Sequence, residues 1–211
     1  LLAYYFLTTN LKFEYVSDYS SEDLSIGYKL AGVWAGRDGT LLIWTWATSL
    51  TLVLERYFHK EKEMQRELTS LIGMGLLLAL CTIQLFINPF GLNETVPIEG
   101  NGLNPLLISP YMIIHPPIVF ISYGMIVLLY ASAMAFLLTE SKSWDGTIKR
   151  WGRSSWIGMS LALIIGGYWA YMTLGWGGYW AWDPVETAGL LPWFAMTTSV
   201  SYTHLTLPTK A

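Results

Sequence analysis

The residues able to do chemistry gather in two short stretches. Residues 175–186 read GWGGYWAWDPVE, three tryptophans and a tyrosine around a Gly-Gly pair, closed by Asp183-Pro184. Residues 111–120 read YMIIHPPIVF, with His115 directly ahead of two prolines. Rings crowded onto a turn offer broad apolar faces that gain by burial and offset stacking. Imidazole adds a nitrogen that binds metals and changes charge near neutrality. Together these groups suit a large, flat, apolar, metal-bearing ligand, provided the chain brings them to one place.

Composition decides where that place is. The chain of 211 residues is 53% hydrophobic and 13% charged, with mean hydropathy +0.41, the balance of a polytopic membrane protein rather than a soluble domain. The single cysteine, Cys81, lies in an apolar run and is expected to be a small buried hydrophobe. With one cysteine there is neither a disulfide framework nor a thiolate metal site, and no Cys-x-x-Cys-His is present. Apolar runs near spanning length fall at about 40–54, 68–87, 116–138 and 156–174, with another starting near 185 and a partial helix at 1–7. The expected fold is all-α: a polytopic transmembrane helical bundle forming a single domain over 1–200.

Charge orients the bundle. The 55–67 segment carries Arg56, Lys60, Lys62 and Arg66, and 139–155 carries Lys142, Lys149, Arg150 and Arg153. The 88–115 and 175–184 segments carry no lysine or arginine. By the positive-inside rule the basic loops face the cytoplasm. The aromatic loop and His115 then face outward, as does the 8–39 segment, whose charge is mostly acidic. In a bacterium or archaeon that is the periplasmic or extracytoplasmic face of the inner membrane. His59 falls on the opposite, basic side and reads as a polar loop residue.

Two plainer roles compete for these residues. An interfacial belt accounts for Trp44, Trp46, Trp144, Trp151 and Trp156, but less well for rings packed on a glycine turn. Asp183, Pro184 and Glu186 have the spacing of an N-cap, a first helical residue and a capping-box partner, so they are expected to start the next helix and fix the exit of the aromatic loop. The Pro-Pro pair biases His115 toward extended backbone just before a membrane helix. The positive end of that helix would disfavour imidazolium and keep a nitrogen free for iron. Haem is the ligand these features suit, with His115 as axial ligand. Among external cations, Arg37 is the candidate partner for haem propionates, because guanidinium grips carboxylate in a fork. Asp38 beside it is a competing partner.

The sequence also resembles a known family. AGVWAGRDGTLLIW (31–44), GLNPLLISPYMIIHPP (102–117) and GGYWAYMTLGWGGYWAWDPVETAGLLPW (166–193) are similar, in order and spacing, to the haem-handling membrane proteins of cytochrome c biogenesis with a tryptophan-rich signature. Asp-Pro-Val-Glu favours the haem lyase branch CcmF and its nitrite-reductase paralogue over CcmC, while Glu186-Thr187 leans toward the CcsA branch, so the branch stays open. The resemblance implies that His115 is an external haem ligand. It also implies that Trp176, Gly177, Gly178, Tyr179, Trp180, Trp182, Asp183 and Pro184 form the haem-docking loop for a transiently bound b-type haem. The implied partners are a haem carrier protein, an apocytochrome c with Cys-x-x-Cys-His and other cytochrome c maturation subunits. The implied function is attachment of haem to the apocytochrome; a haem transporter or delivery subunit, or an assembly subunit that binds no haem, are the alternatives. A second external histidine and the embedded haem b ligands have no counterpart here.

The last stretch departs from that pattern. From Ser201 the chain reads SYTHLTLPTKA, polar and proline-bearing too soon after the helix start near 185 to complete a span. Residues 201–211 are expected to be non-native, His204 to bind nothing, and the chain to be an N-terminal fragment of a longer protein.

Overall fold

The computed structural model describes residues 1–58, 63–140, 144–173, 175 and 177–204. Five long helices run antiparallel: α4 (Arg37–Phe58), α5 (Met64–Phe86), α6 (Pro110–Thr139), α8 (Arg153–Thr173) and α9 (Pro184–His204). The shorter α1 (Leu2–Leu7), α2 (Glu14–Tyr19), α3 (Ile26–Gly32) and α7 (Trp144–Thr147) complete the order. A π-helical turn, Ile148–Gly152, links α7 to α8. Helices α5 and α6 are long and apolar enough to cross a membrane. Even the 21 residues of α8 or α9 measure about 31 Å at the rise of an α-helix, enough for the hydrocarbon layer. The final helix therefore continues through Ser201 to His204, beyond the stop expected from its polar residues. Residues 205–211 lie outside the described residues, as do the side chain of His204 and the whole of His59.

Helix α6 is the centre, packed against α4, α5 and α8. Its Gly124 lets the backbone of α4 close in: a Cβ there would sit 2.6 Å from the Ala47 carbonyl carbon. Helix α5 turns Leu71, Leu78, Leu85 and Phe86 outward, as lipid rather than water would favour. Cys81 shares this exposed surface and is not the buried residue expected; a thiol on a lipid-facing helix has no core to enter.

The two ends of the bundle differ in chemistry. At the basic end Glu55 is buried and accepts hydrogen bonds from Thr147 Oγ1 at 3.0 Å and Trp151 Nε1 at 2.6 Å. Gln65 donates to the Ser132 carbonyl at 2.9 Å. Trp151 is thus a core residue rather than part of an interfacial belt. Trp156 likewise donates to Thr197 Oγ1 at 2.9 Å, and half-buried Trp44 lies against Tyr123 at 5.7 Å. Trp46 remains outward, 57% exposed.

At the other end the 8–39 segment is structured. Leu2, Phe6, Tyr15, Val16 and Val33 form a small core over the bundle. Burial pushes the Tyr15 phenol far up from its ordinary range. It stays neutral, bonding the Gly36 carbonyl at 3.1 Å and accepting from the Gly36 N–H at 3.0 Å. The loop between α5 and α6 is sewn onto this cap by backbone bonds from Glu14 to Gly91 at 2.9 Å, Asn93 to Lys12 at 2.9 Å and Asn101 to Ser17 at 2.7 Å.

The cap also explains how α6 tolerates its prolines. The helix begins at Pro110, in its first turn, so Pro116 and Pro117 lie inside it. Neither can donate, which frees the carbonyls of Met112 and Ile113 four residues back. Trp34, just after α3, donates its indole N–H to the Met112 carbonyl at 2.8 Å. His115 is therefore helical and not extended, because a tertiary bond satisfies what the local sequence would leave open.

Since the helices are antiparallel, the 88–109 and 177–183 loops share one end and α7 with its π-turn takes the other. Reporter fusions after Gly100 and Gly178 are expected to read outside, and fusions at 145–149 inside. A split between Gly100 and Gly178 would contradict the packing.

Candidate functional site

The aromatic loop is held by the start of α9. Asp183 Oδ1 accepts the Glu186 N–H at 2.7 Å, and Glu186 Oε2 accepts the N–H groups of Ala181 at 2.7 Å and Trp182 at 3.0 Å. This is the expected capping box with one change: the carboxylate reaches past the cap residue into the loop. Trp182 needs that hold, because its φ of 59° is left-handed and costs a non-glycine residue roughly 1–2 kcal/mol. Gly175 and Gly177 adopt φ of 68° and 75°, the turn that the glycines were expected to make.

The loop lies back along α8. Tyr179 stacks on Tyr171 with ring centroids 4.5 Å apart and planes at 14°. Its carbonyl oxygen comes so close to α8 that a Cβ on Gly167 would meet it at 2.9 Å. The next ring, Trp180, turns inward, while Trp182 crosses it edge-on at 5.9 Å and is 72% exposed.

Beneath Trp180 lies a cavity of about 480 Å³ between α6, α8 and α9. His115, Phe120 and Tyr123 line it from α6, and Trp169 from α8; Trp180, Asp183, Pro184 and Glu186 close it from the loop and cap. Its size falls within the range of small-molecule and cofactor pockets, and an apolar wall with few polar groups is their usual chemistry. His115 Nδ1 lies 3.0 Å from the Ala162 carbonyl oxygen. Its ring is tilted 59° to Trp169 at 5.8 Å. Because a carbonyl only accepts, Nδ1 carries a proton in this contact, and in the neutral imidazole Nε2 is then the nitrogen with the lone pair. This replaces the helix-dipole reasoning, since dipole effects fade beyond the first turn.

Of the residues singled out in the sequence, His115, Trp180, Asp183 and Pro184 meet at this cavity. Tyr179 lines an adjoining open groove between α8 and α9. Gly177, Gly178 and Trp182 belong to the loop without lining the cavity, and Trp176 lies outside the described residues. Arg37 does not line it either: its Nε pairs with Asp38 Oδ1 at 3.3 Å, with the guanidinium side chain 79% exposed. Sequence reasoning missed Ala162, Gly166, Trp169, Phe120 and Tyr123. Only Gly166-Gly167, a glycine pair inside an apolar helix, signalled a close approach. Two indole N–H groups here, of Trp169 and Trp180, have no acceptor among the described protein atoms.

A profile described as cytochrome C assembly protein matches residues 34–209. The chain belongs to that family. Family members similar to it include the cytochrome c-type biogenesis protein NrfE of Haemophilus influenzae, 34% identical over 197 residues, covering 92% of this chain and 31% of that protein. The cytochrome c-type biogenesis protein CcmF of Escherichia coli is 33% identical over 202 residues, covering 91% and 30%. The chain thus spans about a third of the length of these curated relatives. A solved structure titled Cytochrome c Heme Lyase CcmF superposes with TM-score 0.77 at 23% identity, over 96% of this chain and 33% of that one, and shares the fold.

Replacing Glu186 by Ala removes the acceptor for two loop N–H groups. Hydrogen bonds to a charged acceptor contribute about 1.5–3 kcal/mol each. Amide exchange at Ala181 and Trp182 is expected to quicken tenfold or more, with helices α5 and α6 unchanged. Parent-like exchange at both amides would show that the carboxylate does not hold the loop.

Proposed function

We propose that this chain acts in cytochrome c maturation, holding haem at the extracytoplasmic end of the bundle for covalent attachment to apocytochrome c, as part of a haem lyase assembly. The observation that carries this reading is His115, an imidazole whose Nδ1 lies against the Ala162 carbonyl while its ring lines an apolar cavity under Trp180. The residues present fit the group. His115 Nε2 would ligate the iron, Trp180 and Trp169 would supply ring surface, and the Asp183-Pro184 cap would fix the loop above. Haem, bound transiently as a b-type group, supplies the vinyl carbons that become thioethers with the cysteines of a Cys-x-x-Cys-His client. The chain's own part is to bind and orient, and no residue is assigned to bond formation itself. A haem carrier would deliver the ligand, and other maturation subunits would present the client.

The sidedness rests on charge. The cavity opens at the end whose loops lack lysine and arginine from 88 to 115 and from 175 to 184, which the positive-inside rule puts outside the inner membrane. Exposed Trp182 and the backbone at Gly177 and Gly178 are the natural surface for carrier or client. Maturation suits this chain better than transport, because the buried polar residues Glu55, Gln65 and Ser132 tie helices together at the far end and none of them lines the cavity.

Visible spectra of the haem-loaded full chain test the reading. His115→Ala is expected to shift the spectrum or lower haem occupancy while insertion is unaffected, and added imidazole to restore the spectrum. Trp180→Ala is expected to weaken retention by up to about tenfold, since an aromatic pair contributes roughly 0.5–1.5 kcal/mol beyond burial. If His115→Ala matches the parent in both spectrum and occupancy, His115 does not ligate haem. A parent that takes up no haem would favour a purely structural assembly subunit.

A further inference from the structure

We propose that the Ala162 carbonyl and Gly166 of α8 are positioning residues for His115. The carbonyl selects the imidazole tautomer, and the missing side chain leaves the space in which the ring stands, so that Nε2 alone is presented to the cavity. The purpose assigned to this device rests on the reading of His115 as haem ligand; the device itself rests on geometry.

The tautomer follows from the contact at 3.0 Å between Nδ1 and the Ala162 oxygen. A carbonyl has two lone pairs, so Ala162 can accept from the imidazole and stay in the helix ladder. Ligand histidines commonly gain their orientation from such a bond at the second nitrogen. Here the partner is backbone, so no side-chain substitution at 162 removes it, and the ring is tied to the register of α8 itself.

Gly166 lies one turn further along the same face. A Cβ built there would stand 2.7 Å from His115 Cε1, 3.1 Å from Nδ1 and 3.4 Å from Nε2. Real Cβ atoms do not approach that closely, so the ring would have to move. The space open to it is the cavity, and a swing that way would draw Nδ1 off the Ala162 carbonyl. The neighbouring Gly167 answers a different need, since its close contact is with the Tyr179 carbonyl of the aromatic loop. The consecutive glycines divide the work, one admitting the histidine and the other admitting the loop.

Nitrogen NMR of the full chain carrying ¹⁵N-histidine, in detergent and without haem, reads the tautomer directly. The His115 signals are assigned by their loss in His115→Ala. The parent is expected to show a protonated Nδ1 and an unprotonated Nε2; a dominant Nε2–H form would overturn the proposal. Gly166→Ala is expected to lose that preference and to bind haem about 10–100-fold more weakly, the usual cost of disturbing a ligand's outer partner. Gly75→Ala, whose Cβ meets nothing within 4 Å, is expected to behave as the parent. Gly166→Ala with the parent's tautomer and affinity would overturn the positioning role. Should Gly166→Ala fail to insert, the parent tautomer still decides. A parent with the expected tautomer but haem spectra indifferent to His115 would support the device and sink the ligand reading alone.

Discussion

The hydrogen bond between His115 and the Ala162 carbonyl joins the two helices on which the site is built. It can form only because α6 and α8 approach closely, and that approach depends on residues with little or no side chain. Ala162 is buried in the interface, a Cβ on Gly158 would run into the Ser122 side chain of α6, and Gly166 leaves room for the imidazole itself. In a membrane the helices gain little from hydrophobic association, so close packing and interhelical hydrogen bonds must hold them. A bond that fixes the bundle and the tautomer together makes the site inseparable from the fold.

The aromatic loop depends on a second, local constraint. Its backbone passes through positive φ at Gly175, Gly177 and Trp182, and the first turn of α9 secures it there through Asp183 and Glu186. Trp180 is thereby turned into the cavity and Trp182 away from it, so neighbouring tryptophans serve an inside and an outside surface.

Much of this was legible because it is local. Helix lengths, the capping box, the glycine turn and the one-sided charge pattern are written within a few residues of where they act. His115 was legible as the histidine at the same end of the bundle as the aromatic loop, but its conformation was not. The rule for a residue before proline favours extended backbone, and it lost to a hydrogen bond on the Met112 carbonyl from Trp34, 78 residues from Met112. Trp151 read as an interfacial ring for a similar reason, since its partner Glu55 is 96 residues distant. Arg37 sat beside a competitor visible from the start, and Asp38 pairs with it. Ala162 and Trp169 carry no signature of their own, and the Gly166-Gly167 pair signals only a close approach, because what these residues do depends on which helix packs opposite.

Nuclear-coupling spectroscopy of the ferric haem complex offers the most direct test of His115 as the iron ligand. The protein would be prepared with ¹⁵N in histidine only. The expected result is a strong hyperfine coupling from one histidine nitrogen, absent in His115→Ala and replaced by that of unlabelled imidazole when imidazole is added. A haem complex without histidine ¹⁵N coupling, or with coupling that survives His115→Ala, would contradict it.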